Sequence, residues 1–378
     1  MSKRKDEKLK YQQIYEHIRD GIVSGRYGEG DKLPTQMELA SRFNVSRLTV
    51  IHALRELERE GILELRQGSG CYVGQKRKTQ TRLLGLVAVY TPGSIELMAD
   101  EIGQIVRQNG YELLWRAKLP ENMEDLPSHA EEQCALYKSL GIAGVFFMPL
   151  LGAIAPDYYS INREIVDNFI KAGIQVVLLD RDIHPYPRHS EFDIIGIDSF
   201  ETGYVMTNYL LDLGYTKIAF ILDHPGVPTI SARIAGYKQA LTERGIKPNN
   251  NEIHHTLFGE REEVRALMQK TQAEALFCVN DLAAGFLMDH LSAMGVKVPE
   301  DIAVVGVDDL ELPKGLNICP LTTIRQPMAQ LSRLAARVMV ERLENPSLAP
   351  VHIGIKGQLV VRESCGALLH KQSMVKVS

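Results

Sequence analysis

The sequence contains little cysteine and no long apolar segment. Its five cysteines are scattered among 378 residues, and none forms a CxxC pair. Such a set suits reduced thiols better than a disulfide framework or a zinc site. No apolar run reaches the roughly 18 residues of a membrane span. The first ten residues, MSKRKDEKLK, also lack the apolar segment of a signal peptide. We therefore expect a cytoplasmic protein with no membrane partner.

Motifs of the common enzyme classes are also missing. The chain has no GxSxG, no P-loop, no GxGxxG after a predicted strand and no HExxH. His254 and His255 adjoin in a predicted strand, where successive side chains point to opposite faces, so they make a poor metal pair. These absences favour a protein that is not an enzyme and that needs neither a metal nor a cofactor.

Charge is divided unevenly along a chain whose net charge is −4. Residues 1–82 carry 17 Lys and Arg against 11 Asp and Glu, whereas the other 296 residues carry 26 against 36. A small basic segment on a larger acidic body indicates a polyanion partner for that segment, although merely solvated charge would leave the same pattern.

The length of the chain allows two or three domains.

The first half of the basic segment has the pattern of two helices. Ile14, Ile18 and Ile22 recur every four residues, which predicts a helix with one apolar face. Thr35 followed three residues later by Glu38 is a capping box, which marks the start of a second, short helix.

A third helix and a hairpin complete this segment. Ser46 can cap a helix whose apolar residues recur at i, i+4 and i+7. Residues 62–65 alternate as a strand, 67–70 form a glycine-rich turn, and 71–73 return as a second strand. Three helices and a hairpin describe a winged helix-turn-helix, whose third helix can enter a DNA major groove.

The segment GDKLPTQMELASRFNVSRLTVIHALRELEREGILELRQGSGCYV resembles the amino-terminal domain of the GntR family of bacterial transcription regulators, over about 65 residues and without a gap. The resemblance implies that residues 1–74 form a domain that binds double-stranded DNA. It also implies these DNA contacts: Thr35, Glu38, Ser46, Arg47, Thr49, Gln67, Gly68 and Gly70. His52 is added to them as a possible replacement for a family contact that is absent at Ile51.

Side-chain chemistry supports these roles. Arg47 can form two hydrogen bonds with a guanine edge, whereas Ser46 and Thr49 can donate to phosphates, which set the register on the DNA. Gly68 and Gly70 would let backbone approach the minor groove closely. The alternatives are a solvated charge at the helix start and a plain hairpin turn.

Ile51 departs from the family pattern, which usually has Arg at this position. Isoleucine cannot form a bidentate hydrogen bond, but it can pack on a thymine methyl group. His52 or Arg55 would then supply part of the polar contact. DNA affinity rests mostly on phosphates, so we expect the departure to change which sequence is preferred rather than binding itself.

Beyond a polar, basic linker at residues 75–82, apolar runs alternate with helical stretches. The predicted strands are Leu83–Tyr90, Tyr111–Arg116, Gly144–Met148, Gln175–Leu179, Ile194–Ile197, Lys217–Leu222, Ile253–Leu257, Ala275–Val279 and Ala303–Val307. Two successive groups of βα units predict an α/β domain over residues 83–378, with two doubly wound lobes and a ligand cleft between them.

Three segments, SARIAGYKQAL, FCVNDLAAGFLMDHLSAMGVKVPEDIAVVGVDDL and PLTTIRQPM, resemble the LacI/GalR effector domain, which is related to periplasmic sugar-binding proteins. The implied effector-binding residues are Asp180, Arg233, Phe258, Asn280 and Asp308, with Phe258 as an aromatic platform. Such a polar set suits a polyhydroxylated ligand. The two carboxylates could instead form an acid–base pair, and each could simply cap a helix.

The combination of the two domains resembles arabinose-utilisation repressors of Gram-positive bacteria. It implies a homodimeric repressor on a near-palindromic operator, released by a small-molecule effector, most simply a monosaccharide. A purine is an alternative effector, and a sugar-binding transport component or a sugar-converting enzyme is an alternative function.

Overall fold

The computed structural model describes residues 2–23, 26–28, 30–59, 62–66, 69–73, 82–88, 92–115, 125–151, 158–223, 226–313, 315–316 and 318–367. The chain divides into two compact units, Met1–Thr81 and Arg82–Ser378. The predicted linker, apart from Arg82, lies outside the described residues.

The first unit contains three helices and a two-stranded antiparallel sheet. In chain order these are α1 Ser2–Val23, α2 Gln36–Phe43, α3 Arg47–Arg59, β1 Leu63–Arg66 and β2 Gly70–Val73. Lys32 adds a bridge to Tyr72 on the outer side of β2. The predicted winged helix is thereby confirmed.

One small core holds these helices and strands together. Asn44 adopts the left-handed conformation, with φ of 47°, and so ends α2 and starts the tight turn into α3. The turn lets both helices bury apolar residues against α1 and the hairpin. The buried side chains are Ile14, Ile18, Leu33, Leu39, Val50, Ala53, Leu54, Leu57, Leu63, Cys71 and Val73.

The second unit has two lobes, and the first of them is built on a six-stranded parallel sheet. Its opening elements are β3 Arg82–Val87, α4 Pro92–Gln108, β4 Tyr111–Leu114, α5 Leu126–Leu140, β5 Gly144–Phe147, α6 Tyr158–Lys171, β6 Gln175–Leu179 and β7 Asp193–Ile197. Two apolar clusters cover the two faces of this sheet. Burial on both faces explains why the strands read as continuous apolar runs.

The second lobe follows with α7 Ser199–Asp212, β8 Ile218–Leu222, α8 Pro228–Glu243, β9 Ile253–His255, α9 Arg261–Lys270, β10 Ala275–Cys278, α10 Asp281–Ala293 and β11 Ala303–Val305. Its four-stranded sheet has the order β11-β10-β8-β9 and is parallel throughout. The chain ends with β12 Thr323–Arg325, α11 Met328–Glu344, β13 His352–Ile355 and β14 Gln358–Val360.

The predicted parallel strands are confirmed, but the prediction of two successive lobes is wrong in one respect. Residues 328–355 return to the first lobe, where β13 pairs with β7 and gives the sheet order β13-β7-β6-β5-β3-β4. Helix α11 packs there too, because Leu331, Ala335 and Met339 join the apolar cluster of the first sheet. Strands β12 and β14 form an antiparallel ribbon between these crossings.

Helices α7 and α8 pack with their backbones in contact, and two glycines permit this. A Cβ atom at Gly203 would lie 1.9 Å from the carbonyl oxygen of Arg233, and one at Gly236 would lie 1.9 Å from that of Phe200. Neither helix can shift toward the other, because the two backbones are already in contact. The contact therefore fixes α8, and with it the predicted ligand residue Arg233.

We expect Gly203→Ala to lower the free energy of unfolding by about 3 kcal/mol or more, since the added methyl group overlaps backbone rather than a flexible side chain. Urea unfolding of the full chain would measure the change. Gly259→Ala is the matched control, because a Cβ atom there meets nothing within 4 Å. Equal stability of the two variants would contradict the inferred backbone contact.

Candidate DNA interface and ligand cleft

The start of α2 forms the predicted capping box. The backbone N–H of Glu38 donates to Thr35 Oγ1 over 3.3 Å, and the N–H of Thr35 donates to Glu38 Oε2 over 2.7 Å. The Thr35 hydroxyl donates to the same carboxylate over 2.9 Å. These bonds, the backbone one foremost, lower the pKa of Glu38. Both side chains are exposed, so a DNA contact by either stays a prediction.

The first turn of α3 is held by its own polar residues. Ser46 Oγ accepts the backbone N–H of Thr49 over 3.2 Å and shares a hydrogen bond of 2.9 Å with Thr49 Oγ1. Arg47 Nε donates to Gln36 Oε1 over 3.0 Å, which links the first residues of α3 and α2. The exposed guanidinium is thus oriented before any partner arrives.

The remaining residues predicted to contact DNA differ in their exposure and in their contacts. The exposed His52 ring packs edge-on against Tyr11 of α1, with 4.8 Å between ring centroids, while Ile51 is half-buried. Gly70 begins β2 with φ of 123°, a conformation that favours glycine. Gln67 and Gly68 lie outside the described residues.

Sequence reasoning missed two residues of this surface. Gln36 looked like an ordinary first residue of α2, yet it orients Arg47. Lys32 lies beside the hairpin with its Nζ 5.8 Å from the centroid of the Tyr72 ring, and so adds a cation to the wing. The helix-turn-helix geometry brings the starts of α2 and α3 together. This geometry could have predicted the contact between Gln36 and Arg47.

In the second unit, three of the predicted effector residues meet near the carboxyl ends of parallel strands. Asp180 directly follows β6, Asp308 lies three residues beyond the end of β11, and Arg233 lies on α8. Asp180 and Asp308 adopt positive φ angles of 67° and 116°, and Asp309 one of 57°. Such angles strain residues other than glycine and occur disproportionately at functional sites.

Asp308 is the centre of this cluster. Gln326, which follows β12, donates to Asp308 Oδ1 over 2.5 Å. Burial raises the pKa of Asp308 to about 6; the charge of Asp180 adds to the rise, while Arg233, Gln326 and Arg181 oppose it. The site therefore holds a carboxylate whose charge is only partly compensated, which suits ligand groups that donate hydrogen bonds.

Two arginines accompany the carboxylates. Arg181 is buried and donates to Asp180 Oδ2 through Nε and Nη2, over 2.8 and 2.5 Å. Arg233 is also buried and donates through Nη1 to the carbonyl oxygen of Val279 at the end of β10. Arg181 directly follows Asp180 at the polar end of a predicted strand, but it was not among the predicted ligand residues.

The other two predicted ligand residues line a neighbouring pocket of about 250 Å³ in the second lobe. Asn280 Oδ1 accepts the N–H of Ala283 over 2.8 Å and so caps α10. Phe258 is 6% exposed, and most of its ring belongs to the lobe's core. Asp223, at the end of β8, also lines this pocket. The pocket thus combines the polar side chains of Asp223 and Asn280 with the aromatic side chains of Phe258 and Phe286.

The cleft is tied to the ribbon that crosses between the lobes. Asp309 accepts Arg325 Nε over 2.6 Å and Arg362 Nη2 over 2.5 Å. Burial acts to raise the pKa of Asp309, but the two arginines outweigh it and hold that pKa below its usual range. Buried Asp281 accepts Thr323 Oγ1 over 2.6 Å and the N–H of Leu310 over 2.9 Å. A displacement of the loop that contains Asp308 and Asp309 would therefore also displace β12.

The lobes also touch at the first turn of α6. The hydroxyls of Tyr158 and Tyr159 both donate to the carbonyl oxygen of Gly226, over 2.7 and 2.5 Å. Gly226 lies between β8 and α8 of the second lobe. These bonds and the Gln326–Asp308 bond join the lobes from separate segments of the chain.

Comparison with protein families agrees with this division. Residues 10–73 match the model of bacterial regulatory proteins of the gntR family. Residues 207–365 match the model of the periplasmic binding protein-like domain.

Several characterised proteins are similar over much of the chain. The arabinose metabolism transcriptional repressor of Geobacillus stearothermophilus is 27% identical over 94% of this chain and 97% of its own length. The transcriptional repressor PurR of Vibrio vulnificus is 35% identical, but over 53% of this chain and 60% of its own length.

Solved structures share the fold at lower identity. The complex of the regulator CelR with cellobiose covers 88% of this chain and 100% of its own, with a TM-score of 0.61 at 20% identity. A LacI-family regulator from Enterococcus faecium with bound ribose covers 75% of this chain and 98% of its own, with a TM-score of 0.56 at 22% identity.

A winged helix joined to a two-lobed parallel-sheet domain defines the class of DNA-binding transcription regulators with a ligand-sensing domain. Within that class, residues 10–73 of the first unit match the gntR family model, and residues 207–365 of the second unit match the periplasmic binding protein-like domain. No helix in the described parts of the chain has the length and apolarity of a membrane span.

The raised pKa of Asp308 predicts a pH dependence of stability. Because the folded state holds this proton more tightly than the unfolded chain, whose carboxyl titrates near 4, stability contributed by Asp308 should rise as pH falls from about 7 to 4. Buried Asp281, whose pKa is raised to about 7, also contributes over this range. We therefore expect the change in the free energy of unfolding between pH 7 and pH 5, measured in urea, to differ by on the order of 1 kcal/mol between the wild type and Asp308→Asn. An identical pH slope in both proteins would refute the assignment.

Proposed function

We propose that this chain is a transcriptional repressor of sugar-utilisation genes that leaves its operator when a monosaccharide binds in the cleft of the second unit. The observation that carries the proposal is the pairing, in one chain, of a pre-oriented Arg47 on α3 with a charged cluster around Asp308. Similarity to an arabinose repressor over nearly the whole chain supports it.

The side chains of the cleft suit a ligand with several hydroxyl groups. Sugar hydroxyls both donate and accept hydrogen bonds. Asp180 and Asp308 can accept from them, whereas Arg233 and Asn280 can donate. Cellobiose and ribose are bound by two regulators of the same fold, which agrees with a carbohydrate here. We infer that the cleft binds this ligand without converting it, because its carboxylates are engaged in fixing Arg181 and Gln326.

The release mechanism follows from the connections of the cleft. Ligand bound to Asp308 would shift the lobes, and the bonds from Asp309 to Arg325 and Arg362 would carry that shift to the crossing ribbon. In a homodimer, such a change would alter the spacing of two α3 helices on a near-palindromic operator, whose half-sites lie about 34 Å apart. A coupling of about 1–3 kcal/mol is typical of such regulation. Chromosomal DNA as partner implies a cytoplasmic location.

Arg47→Ala should weaken binding to a selected operator about 10- to 100-fold while leaving salt-dependent binding to unrelated DNA, since the guanidinium is assigned to a base and not to a phosphate. Ile51→Arg should keep total affinity and change the preferred sequence. Gel retardation and selection from random DNA with the full chain would measure both. An unchanged preference in both variants would show that α3 does not contact bases.

Arg233→Ala and Asp308→Ala should each abolish the effect of sugar on DNA binding while DNA binding persists, because neither residue belongs to the first unit. Thermal shift with arabinose, ribose and glucose would first identify a sugar that raises the melting temperature, and gel retardation would then follow release. Arg265→Ala, which removes an exposed arginine paired with Glu262, is the matched control. Release that survives both cleft substitutions would contradict the assigned site.

A further inference from the structure

The first turn of α3 carries a strongly exposed apolar side chain. The side chain of Leu48 is 77% exposed. It lies between Arg47, whose guanidinium is oriented by Gln36, and Thr49, which bonds Ser46. Single exposed leucines are common on protein surfaces. The significance of Leu48 therefore comes from its position on α3 and not from its exposure alone.

The geometry of α3 directs this side chain away from the unit. Val50, Ala53, Leu54 and Leu57 are all buried and form the stripe that faces the core. With 100° between successive residues, Leu48 projects nearly opposite the centre of that stripe. Packing within the first unit therefore does not account for it.

The neighbourhood adds two further apolar side chains. Ile51 follows Leu48 by three residues, which places the two on adjacent parts of the helix surface. Met37, 72% exposed, adjoins the Gln36 that binds Arg47 across the helix pair. The tip of the helix-turn-helix thus presents apolar groups next to one oriented cation, an arrangement suited to base edges rather than to phosphates.

We propose that Leu48 contacts the C5-methyl group of a thymine in the major groove and so helps to determine the operator sequence. The inference rests on the proposed DNA-binding function. The thymine methyl group is the one apolar feature that a base pair offers in this groove. Contact with it would partly replace the second bidentate hydrogen bond that Ile51 cannot form.

Thymine-to-uracil replacement tests this contact, because uracil lacks only the C5-methyl group and keeps the pairing edge and the O4 acceptor. An operator is first selected from random DNA with the full chain. Each thymine of that operator is then replaced singly, and binding is measured by fluorescence anisotropy. We expect one position per half-site to weaken wild-type binding roughly fourfold, the effect of one buried methyl-sized group.

The protein side completes a double-mutant cycle. Leu48→Ala should weaken binding to the thymine operator about as much as the uracil replacement does, and should bind the two DNAs equally. Because Leu48 is exposed, the variant should fold, which circular dichroism checks. Leu140→Ala, which removes a leucine 47% exposed on α5, is the matched control and should keep the full sensitivity to uracil.

The outcomes separate this inference from the proposed function. Failure to enrich any DNA sequence would overturn both. Enrichment followed by equal wild-type affinity for every uracil operator, or by a Leu48→Ala variant that keeps its sensitivity to uracil, would overturn only the methyl contact. So would a change in sedimentation of Leu48→Ala without altered thymine dependence, because Leu48 would then contact another protein chain.

Discussion

A carboxylate that is incompletely compensated sets the character of the second unit. Asp308 is close to Arg233 and Arg181, accepts a hydrogen bond from Gln326, and still has a pKa raised by burial to about 6. Such a group costs stability unless a partner supplies further hydrogen bonds. The left-handed backbone of Asp308 and Asp309 adds to that cost. A bound ligand can relieve both the backbone strain and the uncompensated charge of this loop. The loop is therefore suited to sensing a ligand.

The elements around the loop are arranged so that its position matters elsewhere. Glycines at the α7–α8 contact fix Arg233 on one side, and ion pairs from Asp309 fix the crossing ribbon on the other. Tyrosine hydroxyls of α6 bond the second lobe from a third direction. A loop connected to both lobes can convert ligand binding into lobe movement, whereas a loop within one lobe could not. The proposed release mechanism depends on these connections.

On the proposed DNA-binding surface, most polar side chains are already oriented by hydrogen bonds within the protein. Thr35 and Glu38 satisfy each other, Ser46 and Thr49 satisfy each other, and Gln36 holds Arg47. Pre-orientation lowers the entropy that binding must overcome. The apolar side chains of Met37 and Leu48, at the starts of α2 and α3, are strongly exposed. Specificity would then arise from shape and methyl contacts as much as from hydrogen bonds.

The amino-acid sequence by itself determined the winged helix, the parallel strands and the polar residues at strand ends, because capping boxes, apolar periodicity and buried-strand runs are local patterns. It also placed Asp180, Arg233 and Asp308 in one site through family resemblance. Only the tertiary structure decided that α11 and β13 return to the first lobe, that Gln36 orients Arg47, and that Arg181, Gln326 and Asp309 complete the cluster. These facts depend on pairing and contact between residues far apart in sequence, and no local pattern carries that information.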